Sequence, residues 1–341
     1  MSDRWRVRTP VAVVVFNRPL LTSRVLSRIA EVRPPELFVI ADGPRTDVPS
    51  DAENCAAVRA LINSIDWCPR VRQIYSDTNL GCRVRLSTGI SEVFENTAEA
   101  IVIEDDCLPH PTFFKYCDEL LARHRHDDHV MSIGGSCFQY GWPCDTSYFP
   151  TRFAHVWGWA SWRRAWQLYD VSMSDWPFAR NDPSLLDLPT AGYRDYWTRV
   201  FDMVYSGQID TWDFQWTYAH MRHRGVSIAP SVNLVENLGF GDGATHTARV
   251  PPWLRQTSSP MSFPLRHAQS RVADDVRDDR TFYCCNLLRP PRMPVRLPRW
   301  LESMHKKLPG WAWRHAVAMR TIMPMRQKRT RPALPRGGSP V

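Results

Sequence analysis

The sequence predicts an α/β protein with a mostly parallel, doubly wound sheet. Short apolar runs rich in Val and Ile alternate with longer helical stretches over the first hundred residues, and this alternation is typical of βαβ units. Most of these runs end in polar or acidic residues, as strands do where they leave the core of a parallel sheet. The carboxyl edge of that sheet is therefore the predicted place for a ligand.

The predicted elements follow one another regularly. In chain order they are strand 11–16, helix 22–31, a strand in ELFVIADGP, helix 52–65, strand 71–76, helix 84–96 and a strand in AIVIEDD. Strands joined in this way pair in parallel through right-handed crossovers. From Met131 onward the chain is rich in aromatic residues and glycine, and its clearest elements there are a helix from Trp212 to His223 and a short strand, VSIAP.

The net charge of +8 arises in the C-terminal segment. Residues 290–341 contain twelve Lys and Arg residues against one acid, Glu302, so this segment carries +11 and the remainder of the chain −3. Its mixture of basic residues with Trp, Leu and Met favours a segment that lies on an anionic membrane surface. A solvated tail, or one that binds nucleic acid without sequence specificity, would have a similar composition.

Cysteine usage and hydropathy bound the compartment. The nine cysteines are an odd number without Cys-x-x-Cys spacing, which argues against a zinc site and against a secreted disulfide framework. The apolar run at residues 11–16 is too short for the core of a signal peptide, and no stretch reaches membrane-spanning length. We expect a cytoplasmic protein, with peripheral contact to the inner membrane face through its tail.

Three consecutive carboxylates follow the apolar run Ile101–Ile103. Glu104, Asp105 and Asp106 fall where this strand leaves the core, and acids crowded in this way repel one another unless a cation lies against them. Carboxylate oxygens are the ligands that Mg²⁺ and Mn²⁺ prefer. A solvated turn before a helix that starts near Pro109 is the alternative interpretation.

Polar residues also follow the first two strands, at what should be the same edge. Arg18 comes after the first strand and can lie against a base or a phosphate, whereas Asp42 comes after the second and can accept a hydrogen bond from a base or a ribose. Each residue alone is weak evidence, because a single Asp at a strand end is usually a turn or cap residue. Together with the acidic trio they predict a site for a nucleoside diphosphate and a divalent cation.

The segments VAVVVFNRP, VIADGPR and NLGCRVRLSTGISEVFENTAEAIVIEDDCLPHPTFFKYCDELL resemble the nucleotide-sugar half of GT-A fold glycosyltransferases. They are most similar to bacterial family-two-like transferases and to the N-acetylglucosaminyltransferase that begins complex N-glycans. The resemblance implies a GT-A (Rossmann-like) fold, with Asp106 as the metal ligand, Asp105 as a ribose or metal-water contact, Asp42 as a base contact and Arg18 as a base or phosphate contact. Arg85 stands near a nucleotide-contacting His of the family and departs from that pattern.

The resemblance extends to the second half of the chain. TWDFQW, followed by RGVSIAPSVNLVENLGFG, is similar to the acceptor-side segment of the family and implies that Asp213 is the catalytic base. Trp212, beside it, and Trp157, in HVWGWASW, are predicted to contact the acceptor by stacking on sugar faces, although such clusters are more often core. His246, in GDGATHT, is predicted as a further metal ligand or diphosphate contact, with an unspecialised loop residue as the alternative.

These assignments divide the chain into four parts. Residues 1–135 are the predicted nucleotide-sugar-binding half and residues 136–250 the acceptor and catalytic half of the same domain, followed by an extension at 251–289 and the basic tail at 290–341. The implied enzyme is a metal-dependent, inverting transferase with Mn²⁺ or Mg²⁺. Its expected partners are a nucleotide-diphosphate sugar, with UDP as the expected nucleotide, and a glycan or lipid-linked acceptor, with no specific nucleic acid.

Two other functions fit the same residues. An acidic strand edge also serves Mg²⁺-dependent phosphoryl-transfer enzymes, in which two metal ions are held by carboxylates. A non-catalytic binding or scaffold protein that acts through its basic, Trp-rich tail is the second alternative. Release of a nucleoside diphosphate from a nucleotide sugar distinguishes the transferase from both.

Overall fold

The computed structural model describes residues 5–182, 184–186, 192–240 and 252–286. His246 and the basic tail at 290–341 lie outside the described residues. The strands, in chain order, are β1 (Val11–Val15), β2 (Leu37–Ala41), β3 (Val71–Tyr75), β4 (Glu99–Glu104), β5 (Cys107–Pro109), β6 (Val130–Gly134), β7 (Tyr148–Thr151), β8 (Trp159–Trp162), β9 (Val226–Pro230) and β10 (Val235–Asn237). The helices are α1 (Pro19–Ala30), α2 (Pro49–Asn63), α3 (Gly81–Asn96), α4 (Pro111–His124), α5 (Arg163–Trp166), α6 (Trp176–Ala179), α7 (Tyr193–Tyr205), α8 (Asp213–Arg222) and α9 (Asp275–Thr281).

Eight strands of the described chain form one sheet in the order β3-β2-β1-β4-β8-β6-β9-β7. The strands β3, β2, β1 and β4 are parallel to one another, and β6 and β9 run in the same direction, whereas β8 and β7 are antiparallel to their neighbours. A separate pair, β5 with β10, is antiparallel. The predicted α/β fold with a mostly parallel sheet is thereby confirmed.

The alternation of side chains along β1 explains why helices cover both faces of the sheet. Val11, Val13 and Val15 belong to a core with α1, α2 and α4, whereas Ala12 and Val14 belong to a second core with α3. Because both faces are buried, the strand reads as a continuous apolar run rather than an alternating one. This is the doubly wound arrangement predicted from the sequence.

Helix starts lie earlier than the sequence pattern indicated. Helix α1 begins at Pro19 and α2 at Pro49, because the fixed φ of proline suits the first helical position and its missing N–H costs nothing there. Helix α3 begins at Gly81, whose φ of +77° is open to glycine. The helices therefore start close to the strand ends, and their first turns border the carboxyl edge of the sheet.

An ion pair connects α9 to the edge strand β7. Asp278 is 3% exposed and accepts hydrogen bonds from Thr151 Oγ1 at 2.5 Å and from Arg152 Nη1 at 2.9 Å. Arg152 Nη1 also contacts Asp275 at 2.9 Å. The segment that ends at residue 286 is thus tied to the same sheet as the rest of the described chain.

No described helix is long and apolar enough to span a membrane. All nine cysteines are free thiols. The described residues all belong to one compact unit.

The Asp278 contact predicts a pH dependence of stability. Burial raises the pKa of Asp278 from 3.8 to about 6, so the folded state binds more protons than the unfolded state between these values. The stabilising contribution of Asp278 is fully present below pH 3.8 and is lost as pH rises through about 6. The free energy of unfolding falls by at most about 3 kcal/mol in this range.

The variant Asp278→Asn should remove this loss, so its free energy of unfolding relative to the wild type should increase between pH 4 and pH 6. Urea unfolding at several pH values measures the difference. Asp275→Asn, whose side chain is 45% exposed, is the matched control. Parallel curves for Asp278→Asn and the wild type would contradict the assignment.

Candidate active site

The three acids lie where β4 ends. Glu104 is the last residue of β4 and is in register with Val14 of β1, whereas Asp105 and Asp106 form the turn into β5. The side chain of Asp105 is 10% exposed and that of Asp106 is 18% exposed. The trio therefore sits at the carboxyl edge of the sheet, and Asp105 and Asp106 are largely sheltered from water.

Arg18 reaches this trio from the end of β1. Its Nη1 lies 2.9 Å from Asp106 Oδ2 and 3.8 Å from Asp105 Oδ1. The backbone N–H of Phe16 donates to Asp105 Oδ2 at 3.3 Å. The structure thus brings together three of the residues predicted from separate strand ends, Arg18, Asp105 and Asp106.

The carboxyl groups of the trio repel one another. Burial and then the charge of Asp106 raise the pKa of Asp105 to about 7, although Arg18 opposes this increase. Burial raises the pKa of Glu104 well above its usual range, and the charges of Asp106, Asp105 and Asp213 add to the effect. One guanidinium does not neutralise this cluster, so a further cation would stabilise its ionised form.

Asp213 belongs to the same electrostatic environment. It is the first residue of α8, and its carboxylate accepts a hydrogen bond from Thr211 Oγ1. The negative charge of Asp213 contributes to the raised pKa of Glu104. It also contributes to the raised pKa of the Cys82 thiol, which reaches about 12 chiefly because the thiol is buried. The predicted base therefore lies on the side of the site formed by Glu104 and the start of α3.

The carboxylate of Asp42 is hydrogen-bonded to the loop that precedes α3. Its carboxylate accepts hydrogen bonds from the N–H groups of Leu80 at 2.9 Å and Gly81 at 3.0 Å, and from Asn79 Nδ2 at 3.2 Å. The side chain thereby fixes the loop that leads into α3. Its contact with a base stays a prediction, since an incoming group would have to share these oxygens.

The two predicted acceptor-binding tryptophans have different environments. Trp212 is 3% exposed, and its ring stacks on that of Trp159 with centroids 5.8 Å apart, so its predicted place in an acceptor wall is corrected to a place in the core. Trp157 is partly exposed and packs edge-on against Phe240 at 5.6 Å. Trp157 therefore remains available to a ligand. The remaining predicted residue of the second half, His246, lies outside the described residues.

A buried acid on α2, which the sequence pattern did not single out, anchors the loop that carries Arg18. Asp51 is 0% exposed and accepts hydrogen bonds from Asn17 Nδ2 at 2.7 Å and from Arg45 Nε at 2.6 Å. The Arg45 guanidinium lies over the ring of Phe16, 5.4 Å from its centroid. In the sequence, Asp51 resembles an ordinary acidic residue in the first turn of a helix. Its contact with the distant Asn17 gives no signal in the sequence.

Gly239 is a second residue that the sequence pattern did not identify. Strand β10 pairs with β5, and the N–H of Leu238 donates to the carbonyl of Asp106 at 2.7 Å, which places Gly239 against the acid. A Cβ at Gly239 would lie 2.1 Å from Asp106 Oδ2. The cluster Gly-Phe-Gly-Asp-Gly was the available signal, and its first glycine permits this close approach.

The residues of the site fit a divalent cation whose remaining coordination positions are filled by a bound phosphate ligand and water. Asp106 and Asp105 supply hard oxygen atoms, and the side chain of Asp106 is partly accessible. Within the described residues, no group of three or more His, Cys, Asp or Glu side chains is arranged as a metal site. Mg²⁺ and related ions are often held by one or two carboxylates together with phosphate oxygens and water, and the residues present suit that mode.

Comparisons with known proteins give only distant similarities. The sequence matches no protein-family model, and no curated protein matches it. A mannosyltransferase from Pyrobaculum calidifontis in complex with GDP-Man and Mn²⁺ is 12% identical over 64% of this chain and 70% of that one, with a TM-score of 0.34.

Two further structures are similarly remote. A UDP-glucose pyrophosphorylase complexed with UDP-glucose is 9% identical over 65% of this chain and 90% of that one, with a TM-score of 0.34. The galactosyltransferase LgtC, in complex with donor and acceptor sugar analogues, is 12% identical over 49% of this chain and 63% of its own length, with a TM-score of 0.30. Similarities of this size carry no argument about the activity of the chain.

The contact at Gly239 predicts a specific coupling with Asp106. Gly239→Ala should lower the free energy of unfolding by about 1–3 kcal/mol, the usual cost of overpacking a filled site, because the new methyl group displaces the Asp106 carboxylate. Urea unfolding measures the loss. In an Asp106→Ala background most of this cost should disappear, and additive losses in the double variant would contradict the contact.

Proposed function

We propose that the chain is a metal-dependent glycosyltransferase of the GT-A kind that moves a sugar from a nucleoside-diphosphate donor, with UDP as the expected nucleotide, to a hydroxyl group of a glycan or lipid-linked acceptor. The observation that supports this most is the convergence of Arg18 with the acids of β4 at the carboxyl edge of a parallel sheet, where α/β folds bind their ligands. The family resemblance of the surrounding segments points the same way.

Donor binding is assigned to the residues of the first half. Asp106, with Asp105 beside it, would hold Mn²⁺ or Mg²⁺, which neutralises charge on the diphosphate leaving group when it is bound. Arg18, 20% exposed at its side chain, supplies a planar donor for phosphate or base oxygens. Asp42 holds the loop before α3 and is proposed to face the base.

Asp213 is proposed as the catalytic base. Its carboxylate would take the proton of the acceptor hydroxyl while the acceptor oxygen forms a bond to the anomeric carbon and the bond from that carbon to the diphosphate oxygen breaks. Attack from the face opposite the leaving group inverts the configuration, and no covalent enzyme intermediate is required. Trp157, which is partly exposed, is proposed to border the acceptor.

The donor-binding part of the proposal is tested without knowledge of the acceptor. UDP with Mn²⁺ should stabilise the protein against thermal unfolding by about 2.7 kcal/mol at a ligand concentration one hundred times Kd, more than either component does alone. GDP and ADP under the same conditions report the base preference. Asp106→Asn should abolish the contribution of Mn²⁺, and equal stabilisation of variant and wild type would exclude Asp106 as the ligand.

Asp213→Asn tests the proposed base. The change is nearly isosteric and the residue begins a helix, so stability should fall by at most about 1 kcal/mol. Donor binding should be retained, whereas sugar transfer at saturating donor should fall by roughly 10²- to 10⁴-fold, as expected when general-base catalysis is lost. Thr211→Val, which removes the hydrogen bond to Asp213 but keeps the carboxylate, should cost much less. Near wild-type turnover in Asp213→Asn would assign the base to another residue.

A further inference from the structure

Arg18 is already paired with Asp106, the proposed metal ligand. Its Nη1 lies 2.9 Å from Asp106 Oδ2, with the carboxylate only 18% exposed and the Arg18 side chain 20% exposed. The other oxygen of Asp106 is contacted by the thiol of Cys107 at 3.4 Å, and Gly239 closes the approach beside Oδ2. A guanidinium and a divalent cation on the same carboxylate repel each other, because both carry positive charge.

The backbone around Arg18 is held by two carboxylates and by the start of α1. Residues 16 and 17 are tied to Asp105 and Asp51, and the carbonyl of Arg18 accepts the N–H of Thr22 at 2.9 Å as α1 begins. The guanidinium is therefore carried on a rigid base within reach of the acids. Because an arginine side chain has several rotatable bonds, an exchange of partners requires a change of rotamer and no movement of the loop.

We propose that Arg18 is the resident counter-ion of Asp106, and that it yields this carboxylate only when a divalent cation arrives together with a nucleoside diphosphate. This inference rests on the proposed function and deepens it. In the bound state the Arg18 guanidinium pairs with diphosphate oxygens, which are strong acceptors for its planar donors.

The exchange makes the two ligands depend on each other. A cation that arrives alone must compete with Arg18 for Asp106 and brings no anion for the guanidinium, so it binds weakly. A diphosphate that arrives alone finds the guanidinium engaged and the acids repelling it. When both arrive, each positive charge gains an anionic partner, and the coupling is reciprocal by thermodynamic linkage.

Calorimetric titration of the full-length protein with MnCl₂, in the absence and presence of UDP, tests the exchange. Arg18→Gln should bind Mn²⁺ alone about tenfold more tightly than the wild type, because the competing charge is gone. The factor by which UDP increases Mn²⁺ affinity should be at least about tenfold smaller in this variant than in the wild type. Arg24→Gln, which removes one exposed positive charge from α1, is the control and should resemble the wild type.

The sign of the first effect separates this inference from its rivals. If Arg18 only supported the fold or only bound the nucleotide, its loss would leave Mn²⁺ affinity unchanged or lower, and either result overturns the proposal. An equal increase of Mn²⁺ affinity in Arg24→Gln would show that the effect comes from the net charge of the protein, and it would also overturn the proposal. Arg18→Lys keeps the positive charge, so it should bind Mn²⁺ alone as weakly as the wild type does. This variant tests the proposal if Arg18→Gln does not fold.

The two proposals fail in different ways. Loss of the proposed donor-binding function would appear as no binding of UDP with Mn²⁺ to the wild type. Failure of the exchange would appear as intact binding of UDP with Mn²⁺ and no gain of Mn²⁺ affinity in Arg18→Gln. The electron paramagnetic resonance signal of free Mn²⁺ gives an independent measure of both affinities.

Discussion

The constraint on which the candidate site depends is the crowding of three carboxyl groups onto the end of one buried strand. Strand β4 is fixed between β1 and β8, so Glu104, Asp105 and Asp106 cannot separate by moving the backbone. Their repulsion is met by Arg18, which crosses from the neighbouring strand. Such crowding disfavours the ionised form of these acids, and strongly perturbed groups of this kind are common at functional sites.

The surrounding structure resists this repulsion through contacts that are distant in sequence. Asp51 holds the loop of Asn17 from one side, and the pairing of β10 with β5 brings Gly239 onto Asp106 from another. Asp51 is fully buried, where hydrogen bonds to a charged group are strong and their loss is costly. The acids are therefore positioned by three separate chain segments rather than by their own turn.

Local pattern and non-local packing explain which features could be predicted. The apolar runs, the order of strands and helices, and the convergence of Arg18 with the acidic trio follow from patterns within a few residues and from the direction of parallel strands. The contacts of Asp51 with Asn17 and of Gly239 with Asp106 join residues that are tens of positions or more apart, and a single sequence gives no measure of such proximity. Trp212 was wrongly predicted to face an acceptor, because aromatic composition does not distinguish a sugar platform from a core.

Several of the fifteen tryptophans of the chain form a cluster that bears on the position of the proposed base. Trp159 of β8, Trp166 of α5 and Trp216 of α8 pack with Trp212 in one cluster, with Trp159 and Trp216 at centroids 5.8 Å apart and Trp166 and Trp216 at 5.1 Å. Large rigid rings with few rotatable bonds fix the start of α8 against the strand next to β4. Because Asp213 begins that helix, its distance from Glu104 is set by core packing rather than by a mobile loop. A base held in this way needs no reorganisation when the acceptor arrives, since its supporting elements are already part of the folded core.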